Sequence, residues 1–271
     1  MGVRCALFGH PVAHSRSPRI YQTFAEQTGQ AFDFELVDCT AESFPTALAA
    51  FAATPGARGA NITLPLKLDA YGQCSARSAR AEAAGAVNLV RFEGHNSILG
   101  DNTDGAGLVR DLRDNLGVPI AGQRVLVIGA GGAARGILGP IADCGPAALI
   151  VANRDSAKAE LLAARFAAQG IRAAPLARPG AAFDLVINAT SASLDNKVPE
   201  VAPSALSPDT VAYDLAYSDD GQTAFTRWAD ALGSASVHDG WGMLVEQAAE
   251  SFEAWFGLRP ETAQARDRPQ Q

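Results

Sequence analysis

A glycine-rich turn between an apolar run and a helix-like segment is the clearest chemical signal in the chain. The spacing Gly129-x-Gly131-x-x-Ala134 directly follows the apolar run at 124–128. The first glycine permits a tight turn, and the second lets the backbone approach a pyrophosphate, which the helix N-terminus stabilises through its free N–H groups and its dipole. Glycines also serve as plain strand-to-helix turns, but this context favours nucleotide binding. The predicted phosphate-binding residues are Gly129, Ala130, Gly131, Gly132 and Ala133.

The residues after the next predicted strand indicate which dinucleotide binds. An NAD-binding unit places Asp or Glu about 20 residues beyond the glycines, where the carboxylate bonds to ribose hydroxyls. This chain has Asn153 and Arg154 there, and the planar guanidinium of the arginine suits a 2′-phosphate instead. Lys158 follows closely enough to assist, although both cations could simply be solvated surface side chains. The sequence therefore predicts NADP rather than NAD.

Lysine is scarce in this sequence, which draws attention to Lys67. Of the 22 basic residues only three are lysines, at positions 67, 158 and 197, and the others are arginines. Arginine cannot release its proton in a useful range, whereas lysine can. Lys67 follows a predicted strand, in a loop where functional sites are usually built, so it is suited to transfer a proton. From the sequence alone, the alternative is an exposed loop lysine.

Two predicted helix starts carry polar side chains of chemical interest. Asp104 precedes a predicted helix, where it has an ordinary role as an N-cap or first-turn residue. Its carboxylate could also hold Lys67 and accept a hydrogen bond from a substrate hydroxyl, with Asp101 a lesser candidate. At the other helix start, Ser17 and Pro18 predict an N-cap followed by proline at the first helical position.

Strand-like and helix-like segments alternate along the chain and divide these residues between two α/β units. In the first unit the predicted strands are 4–9, 32–37, 59–64 and 86–91, and the predicted helices are 18–28, 41–53 and 76–84. After a helix at 105–116, the second has strands at 124–128, 148–152, 184–188 and 211–215 and helices at 156–169 and 241–256. Such alternation indicates mainly parallel sheets with helices on their faces. Residues 261–271 are predicted to form a loose polar tail.

Composition limits the class of function. The 271 residues include 22 basic and 29 acidic side chains, and the net charge of −7 does not suit a nucleic-acid binder or a polybasic membrane-surface protein. No apolar run approaches the ~20 residues that cross a bilayer, and the start lacks the apolar stretch of a signal peptide. The cysteines form no C-x-x-C pair, and no metal-ligand spacing is present. We therefore expect free thiols, no metal, no membrane partner and a cytoplasmic location.

Seven short motifs in a fixed order extend these observations over nearly the whole chain. They are Ala13–Pro18, Asn61–Lys67, Gly85–Asn88, Gly100–Gly105, Asn188–Ser191, Tyr213–Tyr217 and Asp239–Ala248. In this order, with four of them ahead of the glycine-rich turn, they closely resemble the shikimate dehydrogenase family. The resemblance implies reversible, NADPH-dependent reduction of 3-dehydroshikimate to shikimate, a step in the biosynthesis of aromatic amino acids.

The resemblance also implies a domain organisation. An N-terminal α/β substrate domain would occupy residues 1–103, and a Rossmann-type NADP-binding domain would occupy residues 104–238. Residues 239–271 would supply C-terminal helices that return to the first domain, followed by the tail. Substrate would then lie against the nicotinamide in a cleft between the domains. The expected partner is this small-molecule substrate, and the protein is expected to be a monomer or a homodimer.

Individual residues match the motif positions that perform this reaction in the family. The resemblance implies that Lys67 and Asp104 are catalytic and that Ser15 and Ser17 receive the substrate carboxylate, for which a helix start with adjacent hydroxyls is suitable. The positions that match substrate-binding residues are Thr63, Asn88, Tyr217 and Gln247. Further cofactor-binding positions are Leu215 and Gly240.

Four departures from the family pattern leave alternatives open. Asp155 stands where a threonine commonly helps to hold the 2′-phosphate, and Leu89 stands where a threonine is usual. Trp241 replaces a smaller residue and Ala216 a larger one. One alternative is a quinate/shikimate dehydrogenase that uses NAD, for which Asp155 is the positive indication. The other is a catalytically silent NADP-binding regulatory module, since a fold does not fix a function. Retention of both Lys67 and Asp104 argues against the silent module.

Overall fold

Two separate sheets, each of six strands, organise the part of the chain that the structure describes. The computed structural model describes residues 2–94 and 97–268. One unit consists of the residues up to Gly107 together with Leu244–Asp267, and the other of Leu108–Met243 together with Arg268. The domain boundaries expected from the sequence, after residues 103 and 238, lie a few residues from these divisions and stay predictions.

Short strands and helices follow one another along the chain. The strands are β1 (Val3–Gly9), β2 (Phe32–Asp38), β3 (Ala57–Ile62), β4 (Ala76–Arg77), β5 (Leu89–Phe92), β6 (Ile98–Asp101), β7 (Arg124–Ile128), β8 (Ala148–Asn153), β9 (Arg172–Pro175), β10 (Leu185–Asn188), β11 (Val211–Asp214) and β12 (Ser236–His238). The α-helices are α1 (Ser17–Thr28), α2 (Phe44–Ala52), α3 (Lys67–Gln73), α4 (Ala79–Ala84), α5 (Asp104–Arg110), α6 (Gly132–Asp143), α7 (Ser156–Arg165), α8 (Ala224–Ala231), α9 (Trp241–Phe256) and α10 (Ala263–Arg266).

The sheet of the first unit is mixed. Its strand order is β2-β1-β3-β5-β6-β4, in which β1, β2 and β3 are parallel and β5 is antiparallel to both β3 and β6. The pairs β1–β2, β1–β3 and β4–β6 are parallel, as predicted for a mainly parallel sheet, and β5 is the exception. Only residues 93–97 separate β5 from β6, whereas a parallel pair needs a crossover of about a dozen residues or more.

The sheet of the second unit is parallel throughout. Its order is β12-β11-β10-β7-β8-β9, which is the doubly wound order that places the first strand, here β7, beside the fourth, here β10. Val125 and Val127 of β7 pack into one apolar cluster and Leu126 and Ile128 into another, so this strand is buried on both faces. These sheets, with the Rossmann-type order in the second, confirm the predicted fold class.

Local structure corrects several predicted element boundaries. The helix predicted at 76–84 is wrong in its first residues, because β4 precedes Ser78, whose hydroxyl caps α4 by accepting from the Ala81 N–H at 3.2 Å. The helix predicted at 105–116 gives way after α5 to a π-helical turn at Asp111–Asn115, where the buried Asp111 accepts a hydrogen bond from Tyr213 Oη at 2.7 Å. The predicted loose tail contains α10, in which Ala265 is buried.

Candidate active site

One edge of the first sheet gathers most of the predicted substrate-site residues. Strands β1 and β3 are parallel and end at this edge, so the serine loop follows β1 and Thr63 follows β3. Because β5 is antiparallel to β3, it begins at the same edge, directly after Asn88. Strand β6 is antiparallel to β5 and therefore ends there, just ahead of Asp104. The mixed topology thus brings together four segments that lie far apart in sequence.

Lys67 and Asp104 form an ion pair at this edge. Lys67 is the first residue of α3, not a loop residue as predicted, and Asp104 is the first residue of α5. Lys67 Nζ donates to Asp104 Oδ2 at 2.5 Å, and the two side chains are only 15% and 4% exposed. The pairing of these residues, which the sequence only suggested, is therefore direct and largely shielded from water.

Asn88 connects the carboxylate of this pair to two further side chains. Its Nδ2 donates to Asp104 Oδ1 at 2.8 Å, to Thr103 Oγ1 at 2.9 Å and to Gln247 Oε1 at 3.3 Å. Gln247 is only 8% exposed on α9, so its side chain is largely shielded from water. A Cβ on Gly107 would lie 2.7 Å from the Gln247 backbone nitrogen, so only glycine allows this close approach of α5 and α9.

The predicted carboxylate-binding serines lie at the start of α1. Ser17 is the first helical residue and is buried, whereas the N-cap position belongs to Arg16, so the predicted N-cap is displaced by one residue. The Ser15 hydroxyl accepts a hydrogen bond from the Ser17 N–H at 3.2 Å. Thr63 packs against Gly9 so closely that a Cβ on Gly9 would lie 2.4 Å from Thr63 Cγ2. The ends of β1 and β3 are thereby held against each other.

The glycine-rich turn of the second unit has the geometry that a dinucleotide phosphate requires. Gly129 follows β7 with φ of +115°, a conformation that favours glycine, and a Cβ there would lie 2.9 Å from the Ala189 carbonyl oxygen. Gly131 is the N-cap of α6, whose first turn begins at Gly132 and Ala133. The start of α6 therefore presents backbone N–H groups beside a position where only glycine fits. Such an arrangement suits the phosphates of a dinucleotide.

Asp155 has a local structural role beside the predicted 2′-phosphate residues. It is the N-cap of α7, and its Oδ1 accepts from the backbone N–H groups of Ala157 at 3.1 Å and Lys158 at 3.4 Å. Asn153 ends β8, so no carboxylate stands at the strand end where NAD would use one. Arg154 is exposed and pairs with no acidic side chain among the described residues.

Leu215, Tyr217 and Gly240 lie together in the second unit. The Gly240 N–H donates to the Ala216 carbonyl at 2.9 Å, and a Cβ on Gly240 would lie 2.2 Å from the Leu215 carbonyl oxygen. The Tyr217 ring meets the Trp241 ring edge to face, with centroids 5.9 Å apart. Tyr217 thus belongs to the unit that carries the glycine-rich turn, whereas the other predicted substrate residues belong to the first unit.

Asp214 is a buried acidic side chain that the sequence analysis did not single out. Burial raises its pKa, against hydrogen bonds from Ser193 Oγ at 2.5 Å, Thr223 Oγ1 at 2.6 Å and Asn188 Nδ2 at 3.0 Å that lower it. Through Asn188 it fixes the turn after β10 that faces Gly129. The sequence did contain an indication of this cluster, because a buried aspartate in the mainly apolar strand β11 requires hydrogen-bond partners.

Neither a metal centre nor a reactive thiol is evident within residues 2–94 and 97–268. That part of the chain contains no group of three or more His, Cys, Asp or Glu side chains arranged to hold a metal ion. The four cysteines are free, and burial raises the pKa of Cys5 to about 12. Over the same residues, no helix has the length and apolar character needed to span a membrane.

Three comparisons relate this chain to known proteins. Family models match residues 7–90 as a shikimate dehydrogenase substrate binding domain, 112–212 as shikimate / quinate 5-dehydrogenase and 240–268 as a shikimate 5′-dehydrogenase C-terminal domain. A Marinobacter nauticus protein named shikimate dehydrogenase (NADP(+)) is 47% identical over 262 residues, which cover 95% of this chain and 94% of that protein.

Solved structures agree with the sequence comparisons. The Ael1 enzyme from Pseudomonas putida is 41% identical, with a TM-score of 0.89 over 98% of this chain and 97% of that chain. Shikimate 5-dehydrogenase from Thermus thermophilus, in complex with NADP(H) and shikimate, is 34% identical, with a TM-score of 0.85 over 97% of both chains. Sequence identity at this level over nearly the full length shows that the chain belongs to the shikimate dehydrogenase family.

Proposed function

We propose that this protein is an NADP-dependent shikimate dehydrogenase, which reversibly reduces 3-dehydroshikimate to shikimate in the biosynthesis of aromatic amino acids. The observation that carries the proposal is the buried ion pair between Lys67 Nζ and Asp104 Oδ2, at 2.5 Å. A ketone that accepts a hydride needs a proton at its oxygen, and an ammonium group shielded from water and held in one position is suited to donate it.

Lys67 acts as the proton donor and Asp104 keeps it in place. An ammonium group has three N–H donors, and Asp104 Oδ2 takes one of them, which leaves the others to face the carbonyl oxygen of the substrate. In the direction of reduction, the proton moves from Lys67 Nζ to that oxygen. In the reverse direction the same nitrogen takes the proton from the hydroxyl. The Asp104 carboxylate also accepts a hydrogen bond from a neighbouring substrate hydroxyl.

The remaining residues of the first unit bind and orient the ring. Ser15 and Ser17, at the positive end of α1, receive the substrate carboxylate. Thr63, Asn88 and Gln247 contact its hydroxyl groups. Their side chains line the same sheet edge as the ion pair, and the existing hydrogen bonds of Asn88 to Asp104 and Gln247 favour a fixed arrangement. From the second unit, Tyr217 supplies a further substrate contact.

The residues of the second unit hold the cofactor. NADPH supplies the hydride when bound, and the turn at 129–133 with the start of α6 suits its pyrophosphate. Arg154 and Lys158 bind the 2′-phosphate, while Asn153 leaves the strand end uncharged. Leu215 and Gly240 contact the cofactor further along the sheet edge. The names of the curated relatives do not favour the NAD-linked or the catalytically silent alternative.

The proposal extends to the partners, location, oligomeric state and domain organisation of the protein. The protein acts on a small-molecule substrate, with no nucleic-acid or membrane partner. It works in the cytoplasm as a monomer or a homodimer, which light scattering of the purified protein distinguishes. Residues 1–103 and 104–238 serve as the substrate and cofactor domains, and residues 239–271 complete the first.

A single spectrophotometric assay tests the proposed function. Nicotinamide absorbance is followed with the purified protein and either shikimate or quinate, each with NADP+ and with NAD+. We expect the highest kcat/KM for shikimate with NADP+. A higher kcat/KM with NAD+ than with NADP+, or with quinate than with shikimate, would contradict the proposal and favour the quinate-linked alternative.

A further inference from the structure

Arg80 joins three elements of the first unit. On α4, its Nε and Nη2 donate to the two carboxylate oxygens of Asp101, each at 2.7 Å, and its Nη1 donates to Glu250 Oε2 on α9 at 3.2 Å. Asp101 is the last residue of β6, three positions ahead of Asp104. A two-pronged bond of this kind fixes the carboxylate in orientation as well as in position.

Each residue between Arg80 and the ion pair is itself fixed by hydrogen bonds. Asp101 Oδ1 also accepts from the backbone N–H of Asn102 at 2.7 Å and from the Ser78 hydroxyl. Asn102 Nδ2 donates to the Ala86 carbonyl at 3.0 Å, and its Oδ1 accepts from the Asp104 N–H at 3.2 Å. An unbroken series of bonds therefore runs from the Arg80 guanidinium to the backbone of Asp104.

Asp101 is charged in this arrangement. Burial alone would raise the pKa of Asp101, but the hydrogen bonds from Arg80 and Ser78 and the positive charge of Arg80 hold it below its ordinary value of 3.8. The pKa of Arg80 is raised in turn, chiefly by its hydrogen bonds to Asp101. Arg80 thus contacts two carboxylates, those of Asp101 and Glu250. Among the described residues, Arg80 is the only cation that pairs with Asp101.

The other end of the network reaches the helix that carries Gln247. Arg259 Nη1 donates to Glu250 Oε1 at 2.5 Å, and Arg259 Nη2 donates to Glu246 Oε2 at 3.2 Å. Glu246, which is 1% exposed and directly precedes Gln247, also accepts from Thr262 Oγ1 at 2.7 Å. The ionic network therefore borders both the segment of Asp104 and the segment of Gln247.

We propose that Arg80 is a positioning residue for proton transfer, which acts through Asp101 to hold Asp104 where it contacts Lys67 and Asn88 at once. This inference rests on the proposed function. Asp104 must present Oδ2 to Lys67 at 2.5 Å and Oδ1 to Asn88 at 2.8 Å, so a small rotation of the backbone at 101–103 breaks one contact or both. Loss of the guanidinium leaves Asp101 without its cation and frees that backbone to rotate.

The test compares Arg80→Met with Arg91→Met. Arg91 is a matched control because it also bonds a carboxylate, that of Glu93 at 2.9 Å, and a group on α9, the Ala254 carbonyl at 3.3 Å, without contacting Asp101. We expect Arg80→Met to lower kcat by up to about 100-fold, the effect of a misplacement near 1 Å, with little change in KM for NADP+. Arg91→Met leaves kcat near that of the wild type.

A double-variant cycle separates positioning from a general loss of structure. In the Asp104→Asn background, Arg80→Met should lower kcat no further, because the group that it positions is already altered. An equal loss in both backgrounds, or no loss in either, would overturn the inference. If Arg80→Met does not fold, Asp101→Asn tests the same link with a side chain of the same size. A wild-type protein that does not oxidise shikimate would refute the proposed function itself.

Discussion

At the scale of the residue, the position of the Asp155 side chain determines how cofactor selection is interpreted. In the sequence, Asp155 stands in place of a threonine that commonly helps to hold the 2′-phosphate, and it is the positive indication for NAD. In the structure Asp155 bonds to the backbone N–H groups at the start of α7. Spacing cannot show where a short side chain points, because the choice between capping a helix and facing a ligand depends on a single rotamer.

Arg154 is accordingly expected to determine the choice of cofactor. A charge-assisted hydrogen bond of about 1.5–3 kcal/mol corresponds to roughly 10–200-fold in affinity. Arg154→Ala should therefore raise KM for NADP+ by about that factor and leave KM for NAD+ almost unchanged. Arg172→Ala, which removes an exposed arginine from β9, is the control and should change neither value. Equal losses with the two cofactors would show that Arg154 does not contact the 2′-phosphate.

At the scale of the element, the sequence predicted the long strands and helices and missed the short ones that complete the site. The strand at 124–128 and the helix at 241–256 were predicted with their observed bounds. Strand β6 has only four residues, too few to show an alternating pattern, and α3 begins within a turn that reads as a loop. Yet β6 directs Asp104 to the same edge as Asn88, so the antiparallel pairing of β5 and β6 assembles the site. No residue pattern in the sequence predicted this pairing.

Variants of Asp155, the N-cap of α7, distinguish its effect on stability from its effect on cofactor selection. Asp155→Ala removes an N-cap acceptor and should lower the free energy of unfolding by about 0.5–2 kcal/mol, whereas Asp155→Thr keeps a capping hydroxyl and should lower it less. Both variants remove a negative charge beside Arg154, so both should increase the kcat/KM preference for NADP+ over NAD+. Chemical denaturation and steady-state kinetics measure the two effects. An unchanged preference in both variants would show that the Asp155 charge does not reach the cofactor.

At the scale of the whole molecule, alternation of elements was sufficient to predict two α/β units with mainly parallel sheets, and the family resemblance implied that the second is of the Rossmann type. The antiparallel part of the first sheet was not predicted, and neither was the helix in the C-terminal segment. The pairing of β5 with β3 and the placement of α10 depend on contacts between separate segments of the chain, for example the hydrogen bond from Thr262 to Glu246 that precedes α10. A single polar segment near the chain end gives no local indication of such a contact.

Binding of the cofactor should stabilise the protein, and the size of this stabilisation distinguishes residues that bind the cofactor from residues that act only in the reaction. NADP+ at about 100 times its Kd should raise the free energy of unfolding by about 2.7 kcal/mol. The Lys67→Ala variant should show the full increase, because Lys67 is placed at the substrate. Arg154→Ala, with an affinity roughly 10–200-fold lower, should lose about half of the increase or more at the same concentration. Thermal denaturation with and without NADP+ provides the measurement. A loss of stabilisation in Lys67→Ala would contradict the separation of the two roles.

The most direct test of the central claim is the rate of hydride transfer in a single turnover for the wild type, Lys67→Ala, Asp104→Asn and the double variant. Positioned proton transfer is worth about 10²–10⁴-fold, so Lys67→Ala should lower the rate by that factor. Lys197→Ala, which removes an exposed lysine, should not. Because Lys67 and Asp104 act as one unit, the double variant should be far less impaired than the product of the two single losses. Near wild-type transfer in Lys67→Ala, or losses that multiply fully in the double variant, would contradict the account.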